Sequence, residues 1–332
     1  MTGLLSARRL RAHWYSLLIA LTPFHVQAAD NGGAYPAKPV RWIVPFPPSG
    51  SIDLVGRVVG QKLSETWGQQ IVIDNRSGGG GRLGTGAAAA SAPDGYTLLF
   101  SLNTSFTIDR SLFKSLPYDP DKAFTPITIV ASTSQLLVTN PSFPPKNVRQ
   151  LISLCKAHPG QVNYGSSGAG GSLHLAMELF KSMTGIDIVH VPYKGSTPGL
   201  MALVSGEVTM MFSNVDNSQP HIKSGRARAL AVTSAQRAAT LPQVPTMGEA
   251  GVKDFVVLSW FGLLAPAATP PAIVTRLNAE TNKVLQRADI KAALAAQGFD
   301  VVSGTPEQFA NHIKSEIARM TKIAAAANIK AD

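Results

Sequence analysis

The sequence predicts an α/β protein of two lobes with a ligand cleft between them. Three observations predict it. First, short apolar runs alternate with amphipathic helical patterns in two separate blocks. Second, two extended β-rich stretches, Ile127–Asn140 and Val256–Leu264, read as crossovers between the blocks. Third, each block opens on a strand that stops at a Gly/Ser/Pro loop and runs at once into a helix. The first junction is VRWIVPFPPSGSIDLVGR, residues 40–57; the second is NYGSSGAGGSLHLAMELF, residues 163–180. A helix N-terminus presents unpaired N–H groups and partial positive charge, so each junction is a ready anion site.

The elements follow in order. Val40–Phe46 reads as a strand and Asp53–Trp67 as a helix, with Leu54, Val55, Val58, Val59 and Leu63 at helical spacing. Gly68 is placed to stop that helix. A strand at Ile71–Asp74, the run Ser77–Gly81, a small-residue helix near Leu83–Ala92 and a strand at Tyr96–Ser101 complete a β-α-β-α-β unit. That order requires parallel pairing with helices on the faces. In the second block a helix near Val148–Lys156 precedes a strand near Val162–Gly165, and Leu173–Thr184 is helical. Ile188–Pro192 is a strand, and Ser196 or Thr197 caps a helix that has Pro198 in its first turn and ends at Gly206. Val208–Phe212 and Ala227–Val232 are further strands, and the chain is helical from Pro271.

The first 28 residues read as a secretory signal. Arg8, Arg9 and Arg11 form a basic start, Trp14–Pro23 a short apolar stretch, and Val26-Gln27-Ala28 a small-residue cleavage box. The apolar stretch is too short to span a bilayer. Without residues 1–28 the chain keeps 304 residues and, having lost three arginines and no acid, a formal charge of +7. The lobes are expected at residues 29–134 plus 262–332 and at 135–261. The basic residues are scattered, with no run of five and no accompanying aromatics, which excludes nucleic-acid binding. The single cysteine, Cys155, joins the apolar face of its helix and reads as a buried thiol.

Catalytic and metal chemistry read weakly. Gly165-Ser166-Ser167-Gly168-Ala169 approaches a serine-hydrolase nucleophile elbow, but Ala169 stands where the last glycine belongs. An exported serine hydrolase with Ser167 as nucleophile is the competing reading. The histidines at 158, 174, 190, 221 and 312 form no i,i+4 pair, so no metal or cofactor is expected. The glycine run at 77–81 lacks the ending of a phosphate loop. Asp53 and Arg57, one turn apart, make either a surface pair or a brace for the preceding loop.

Ordered motifs then carry a resemblance. They are YPAKPVRWIVPF from Tyr35, IDNRSGGGG from Ile73, PDGYTLL from Pro93 and NYGSSGAGGSLHL from Asn163. They continue with HVPYKGSTPGL from His190, SGRARALAVTSAQR from Ser224, LPQVPTMGEAG from Leu241 and GLLAPAATP from Gly262. Over nearly all of its mature length the chain resembles the Bug (TctC-type) extracytoplasmic solute receptors of tripartite tricarboxylate transport systems. The resemblance implies a monomeric periplasmic binding protein of the type II-like, Venus-flytrap class. It implies a small carboxylate ligand, no catalysis, and membrane permease subunits or a sensor protein as partner. It places the ligand against the first loop (Phe46, Pro48, Ser49, Gly50, Ser51, Asp53) and the second (Ser167, Gly168, Ala169, Gly170, Ser172, His174). The strand ends at Ser101, Asn103, Thr104, Lys194 and Gly195 supply further walls. Among the departures from the family's usual loops, Ile52 stands for a threonine and Ala169 for an asparagine. Their loss of polarity implies a ligand less polar than a citrate-like acid.

Overall fold

A computed structural model describes residues 35–107, 109 and 115–326; the export signal read in residues 1–28 lies outside them. The first lobe begins β1 (Val40–Val44), α1 (Ser51–Trp67), β2 (Ile71–Asn75), α2 (Arg82–Ala89), β3 (Thr97–Leu102) and the single turn α3 (Thr104–Thr107). β1 pairs in parallel with both β2 and β3, as the β-α-β-α-β order demands. α1 buries Val55, Val59 and Leu63 against this sheet. Its Gly56 and Gly60 let the helix sit close: a Cβ there would come within 3.1 Å of Phe100 and of Ile71. Gly68 ends the helix in the left-handed conformation, φ +64°.

β4 (Phe124–Thr139) is one strand serving two sheets. Phe124–Ser134 pairs antiparallel with β9 (Leu258–Pro266), and Gln135–Thr139 pairs with β7 (Met210–Asn214). β8 (Arg228–Val232) pairs with the same second half of β4. The second lobe carries α4 (Val148–Ala157), β5 (Asn163–Ser166), α5 (Ser172–Thr184), β6 (Val189–Pro192), α6 (Ser196–Ser205) and α7 (Val215–Lys223). The chain returns through β9 to α8 (Pro271–Leu285), α9 (Ala288–Ala295), the short β10 (Asp300–Val301) and α10 (Pro306–Ala326). The strand order is β2-β1-β3-β9-β4-β7-β5-β6, with β8 and β10 also on β4.

Two large apolar cores and a smaller one around Trp260 and Phe309 fill the fold. One large core gathers residues between Leu136 and Val257; the other joins Tyr35–Ala131 to Phe261–Phe299. Cys155 is fully buried in the former, and burial pushes its thiol up to about 11, away from nucleophilic use. Two sequence expectations need correction. The N-cap of α6 is Gly195, φ +124°, and not Ser196 or Thr197, which fall inside the helix. α7 was not anticipated: VDNSQPHIK is polar and carries an internal Pro220, so it lacks the periodic apolar face that marks a helix.

Candidate functional site

A cavity of about 310 Å³ lies where the carboxyl ends of β1, β5, β6 and β7 meet, the place open α/β sheets bind ligands. Phe46, Pro47, Pro48, Gly50, Ser51 and Ile52 line it from the first lobe, with Leu102 from the end of β3. Ser167, Ser172, Leu173 and the run 194–198 line it from the second lobe, with Asn214 at the end of β7. The two lobes approach closely at its edges. A Cβ on Gly195 would stand 3.7 Å from Pro47, and one on Gly80 3.8 Å from the Ala169 carbonyl.

Three helices begin at this cavity: α1 at Ser51, α5 at Ser172 and α6 at Ser196. Their N-caps are Gly50, Gly171 and Gly195, and none has a side-chain cap. A Ser, Thr or Asp cap would satisfy the first-turn N–H groups from within; glycine leaves them for a ligand. The hydroxyls of Ser167, Ser172, Ser196 and Thr197 likewise have no hydrogen-bond partner among the described residues. Lys194 is exposed at the mouth and is the charged residue lining the cavity. The arrangement is a pocket of open N–H and O–H donors with apolar walls, suited to an anion with a hydrocarbon body.

The first loop is braced by charge. Asp53, its side chain 5% exposed, accepts the Ser49 N–H at 3.0 Å, both Arg57 Nε and Nη2, and Asn75 Nδ2. Asn75 Nδ2 also reaches the Phe46 carbonyl at 3.1 Å. Burial pushes the Asp53 pKa up, but the hydrogen bonds from Arg57, Ser49 and Asn75 outweigh it, and the carboxyl lies below its ordinary value. Asp53 thus braces the loop while pairing with Arg57. Ser49 is held at φ +66°, a strained region for a residue with a Cβ.

Neutral groups brace the second loop. Ser166 Oγ and His190 Nε2 are 2.6 Å apart, and Ser166 Oγ accepts the Gly168 N–H at 3.1 Å. His174 Nδ1 accepts the Gly170 N–H at 3.1 Å, which fixes Nδ1 as the unprotonated nitrogen. The rings of Tyr164, His190 and His174 stack, at centroid distances of 4.9 and 4.0 Å. Tyr164 donates to Glu178 at 2.5 Å, and Lys181 meets the same carboxylate at 2.8 Å. Burial lowers the pKa of His174; burial and then the adjacent His174 lower that of His190 to about 4.

The remaining sequence-predicted residues stand behind these walls. Asp53 and His174 brace the loops from below. Ser49 is in the loop backbone, and Gly168, Ala169 and Gly170 form the turn before α5, with Gly168 and Gly170 at φ +123° and +77°. Ser101 is buried and bonded to Ser105; Asn103 and Thr104 are buried and line a void of about 10 Å³ beside Ser172. Ser167 has no histidine: His190 pairs with the fully buried Ser166 and His174 with a backbone N–H. Neither histidine therefore pairs with Ser167, the nucleophile of the serine-hydrolase reading. The sequence reading missed Leu173, Pro198 and Asn214. Asn214 ends an ordinary apolar strand and carries no local signal of a site. The run Ser77–Gly81 is a tight turn against the cleft: a Cβ on Gly81 would touch Phe46 at 3.0 Å.

The family model for the tripartite tricarboxylate transporter family receptor matches residues 55–329. Protein BugT of Bordetella pertussis is 41% identical over 295 residues, covering 89% of this chain and 90% of that one. A Pseudomonas protein from a tcbD-tcbE intergenic region is 39% identical over 89% of this chain and 88% of its own. Among solved structures, the R. palustris protein Rpa4515 with adipate superposes with a TM-score of 0.87 at 38% identity, covering 89% of this chain and 99% of that one. MatC from Rhodopseudomonas palustris, with bound malate, gives a TM-score of 0.82 at 33% identity, covering 87% and 99%.

Proposed function

The chain belongs to the tripartite tricarboxylate transporter receptor (TctC, or Bug) family of periplasmic solute-binding proteins, and from that premise we propose that it captures a small carboxylate in the cleft between its lobes. The observation that carries this reading is the convergence of three glycine-capped helix N-termini and four unpartnered hydroxyls on one cavity. Each hydrogen bond to a charged carboxylate contributes about 1.5–3 kcal/mol. A handful of such donors, with the helix dipoles behind them, holds an anion without an arginine. The adipate and malate of the two related structures are anions of this class.

The protein works as an exported monomer, with residues 1–28 removed, and hands its solute to membrane permease subunits or reports it to a sensor protein. The lobes 29–134 plus 262–332 and 135–261 close over the ligand by shifting an open–closed equilibrium. Residues Phe46, Pro48, Gly50, Ser51, Ser167, Ser172, Lys194 and Gly195 contact it, while Asp53, His174 and the turn 168–170 hold the donors in place. Native mass spectrometry of protein purified from the periplasm, followed by calorimetry with mono- and dicarboxylates, tests this. A retained or titrated carboxylate that Ser167→Ala weakens about tenfold supports the proposal; saturable binding of uncharged solutes alone overturns it.

A further inference from the structure

Besides the three open helix starts, a fourth helix begins at the cavity wall with an anion already in its first turn. Asn214 lines the cavity as the last residue of β7, and α7 starts at the next position. Asp216, in that first turn, accepts the N–H groups of Asn217 and of its own residue. It also accepts the Ser51 hydroxyl, 2.9 Å away across the cleft at the start of α1. Ser51 Oγ in turn accepts Asn214 Nδ2 at 2.9 Å, and Asn214 Oδ1 accepts Ser259 Oγ at 3.1 Å. Gln135 Nε2 donates to Ser259 Oγ at 3.1 Å. The hydroxyl proton of Ser51 is therefore committed to Asp216, and the Asn214 side-chain carbonyl to Ser259. The Asn214 side of the cavity is thus backed by a carboxylate, whereas the backbone N–H groups at the starts of α1, α5 and α6 remain open donors.

The groups facing Asp216 are uncharged: Ser51 from α1, Asn214 from β7 and the backbone of its own turn. Among the described residues no cation pairs with Asp216 to offset a second anion. The walls beside it are apolar, with Ile52 and Leu173 each 2% exposed and Phe46, Leu102 and Pro198 around them. Lys194 stands at the mouth, in solvent.

We infer that Asp216 is a specificity-determining residue: it closes the α7 side of the cavity, beside Asn214, to a second carboxylate. The site then takes acids with one carboxylate head on an apolar body. It takes diacids only when they are long enough for the far carboxylate to reach Lys194 at the mouth. This rests on the reading of the cavity as a carboxylate site. Burial raises the Asp216 carboxyl to about 6, below the pH at which the test is run.

The test is calorimetry at pH 8 with the length-matched pair butyrate and succinate, on wild type, Asp216→Asn and Asp216→Ser. Asparagine keeps the shape and still accepts from Ser51; serine leaves space, so one of the two reports if the other misfolds. Wild type should prefer butyrate by at least about tenfold, or 1.4 kcal/mol. Each folded variant should cut that preference by about tenfold or more, through tighter succinate binding. Equal or tighter binding of succinate by wild type, or an unchanged ratio in the variants, overturns the role of Asp216 and leaves the carboxylate site standing. Failure of wild type to bind any carboxylate, hexanoate and adipate included, overturns both.

Discussion

The two loops that flank the cavity do the same job by opposite means. The first, residues 46–53, is held by a buried carboxylate with an arginine and an asparagine on it. The second, residues 166–172, is held by two neutral histidines, a serine and two left-handed glycines. Both end in a glycine N-cap that leaves first-turn donors free. The difference teaches that open donors do not require a charged scaffold; they require that every loop group not facing the ligand be satisfied from behind. It also means the two halves of the site should fail under different insults.

The largest contrast is expected at glycine. Gly170 sits at φ +77° and gives its N–H to His174, so Gly170→Val both strains the turn and displaces that bond. Strain of about 2–3 kcal/mol should weaken ligand binding about 100-fold. Gly50, at φ −87° with its nearest atom 3.8 Å from an added Cβ, has room. Gly50→Ala should change affinity by no more than about threefold, the loss of a favoured N-cap residue. Calorimetry on both variants checks the pair, and equal effects would erase the asymmetry.

Next comes the charged brace. Asp53→Ala removes the acceptor for Ser49, Arg57 and Asn75 together. Arg57 is 56% exposed and finds water, so the cost is the lost hydrogen bonds, about 2 kcal/mol of unfolding free energy. Urea denaturation should show it, and Asp53→Asn should recover part of it.

The smallest effect is a difference in acid sensitivity. His190 titrates at about 4 in the fold against an ordinary 6.5, and His174 is also lowered. Between those values the unfolded chain binds more protons than the folded one, so stability from these residues falls as pH drops from 6.5 towards 4. Asp53, with its pKa lowered from 3.8, loses its contribution only below that value. Melting temperature should therefore decline across pH 6.5–4 in wild type and decline less in His190→Gln. An NMR midpoint for His190 near 6.5 would contradict the neutral brace.

Much of this was legible in the sequence because it is local. The β-α-β-α-β order, the two strand–loop–helix junctions and Gly68 and Gly206 as helix stops all follow from spacing and glycine. The Asp53–Arg57 pair is one helical turn, and in the fold the buried Asp53 makes it the brace of the preceding loop. What was not legible arrives from far along the chain. Ser51 meets Asp216 across 165 residues, and Ser166 meets His190 on a neighbouring strand. Nothing in the composition of NVDNSQP signals a wall of the cavity, because its function is fixed by the strand pairing that carries it there. At Gly195 the local preference for Ser or Thr as a cap lost to a backbone turn, φ +124°, that only glycine adopts cheaply.

The shared strand β4 has a consequence for assembly. The second-lobe strands β5 to β8 and the latter half of β4 fall within residues 135–232, and the core they cover ends at Val257. The opposite sheet cannot close so early: Leu99 of β3 pairs with Leu264 of β9, 165 residues away. A chain threaded N-terminus first through a membrane pore would therefore emerge with its opening strands lacking a neighbour, while a complete inner module forms behind them. Long-range closure of this kind is slow. A chain cut at residue 257 would keep that core while losing Ser259, the partner of Gln135 and Asn214, and would leave β3 an open edge, the exposed strand edge that invites aggregation.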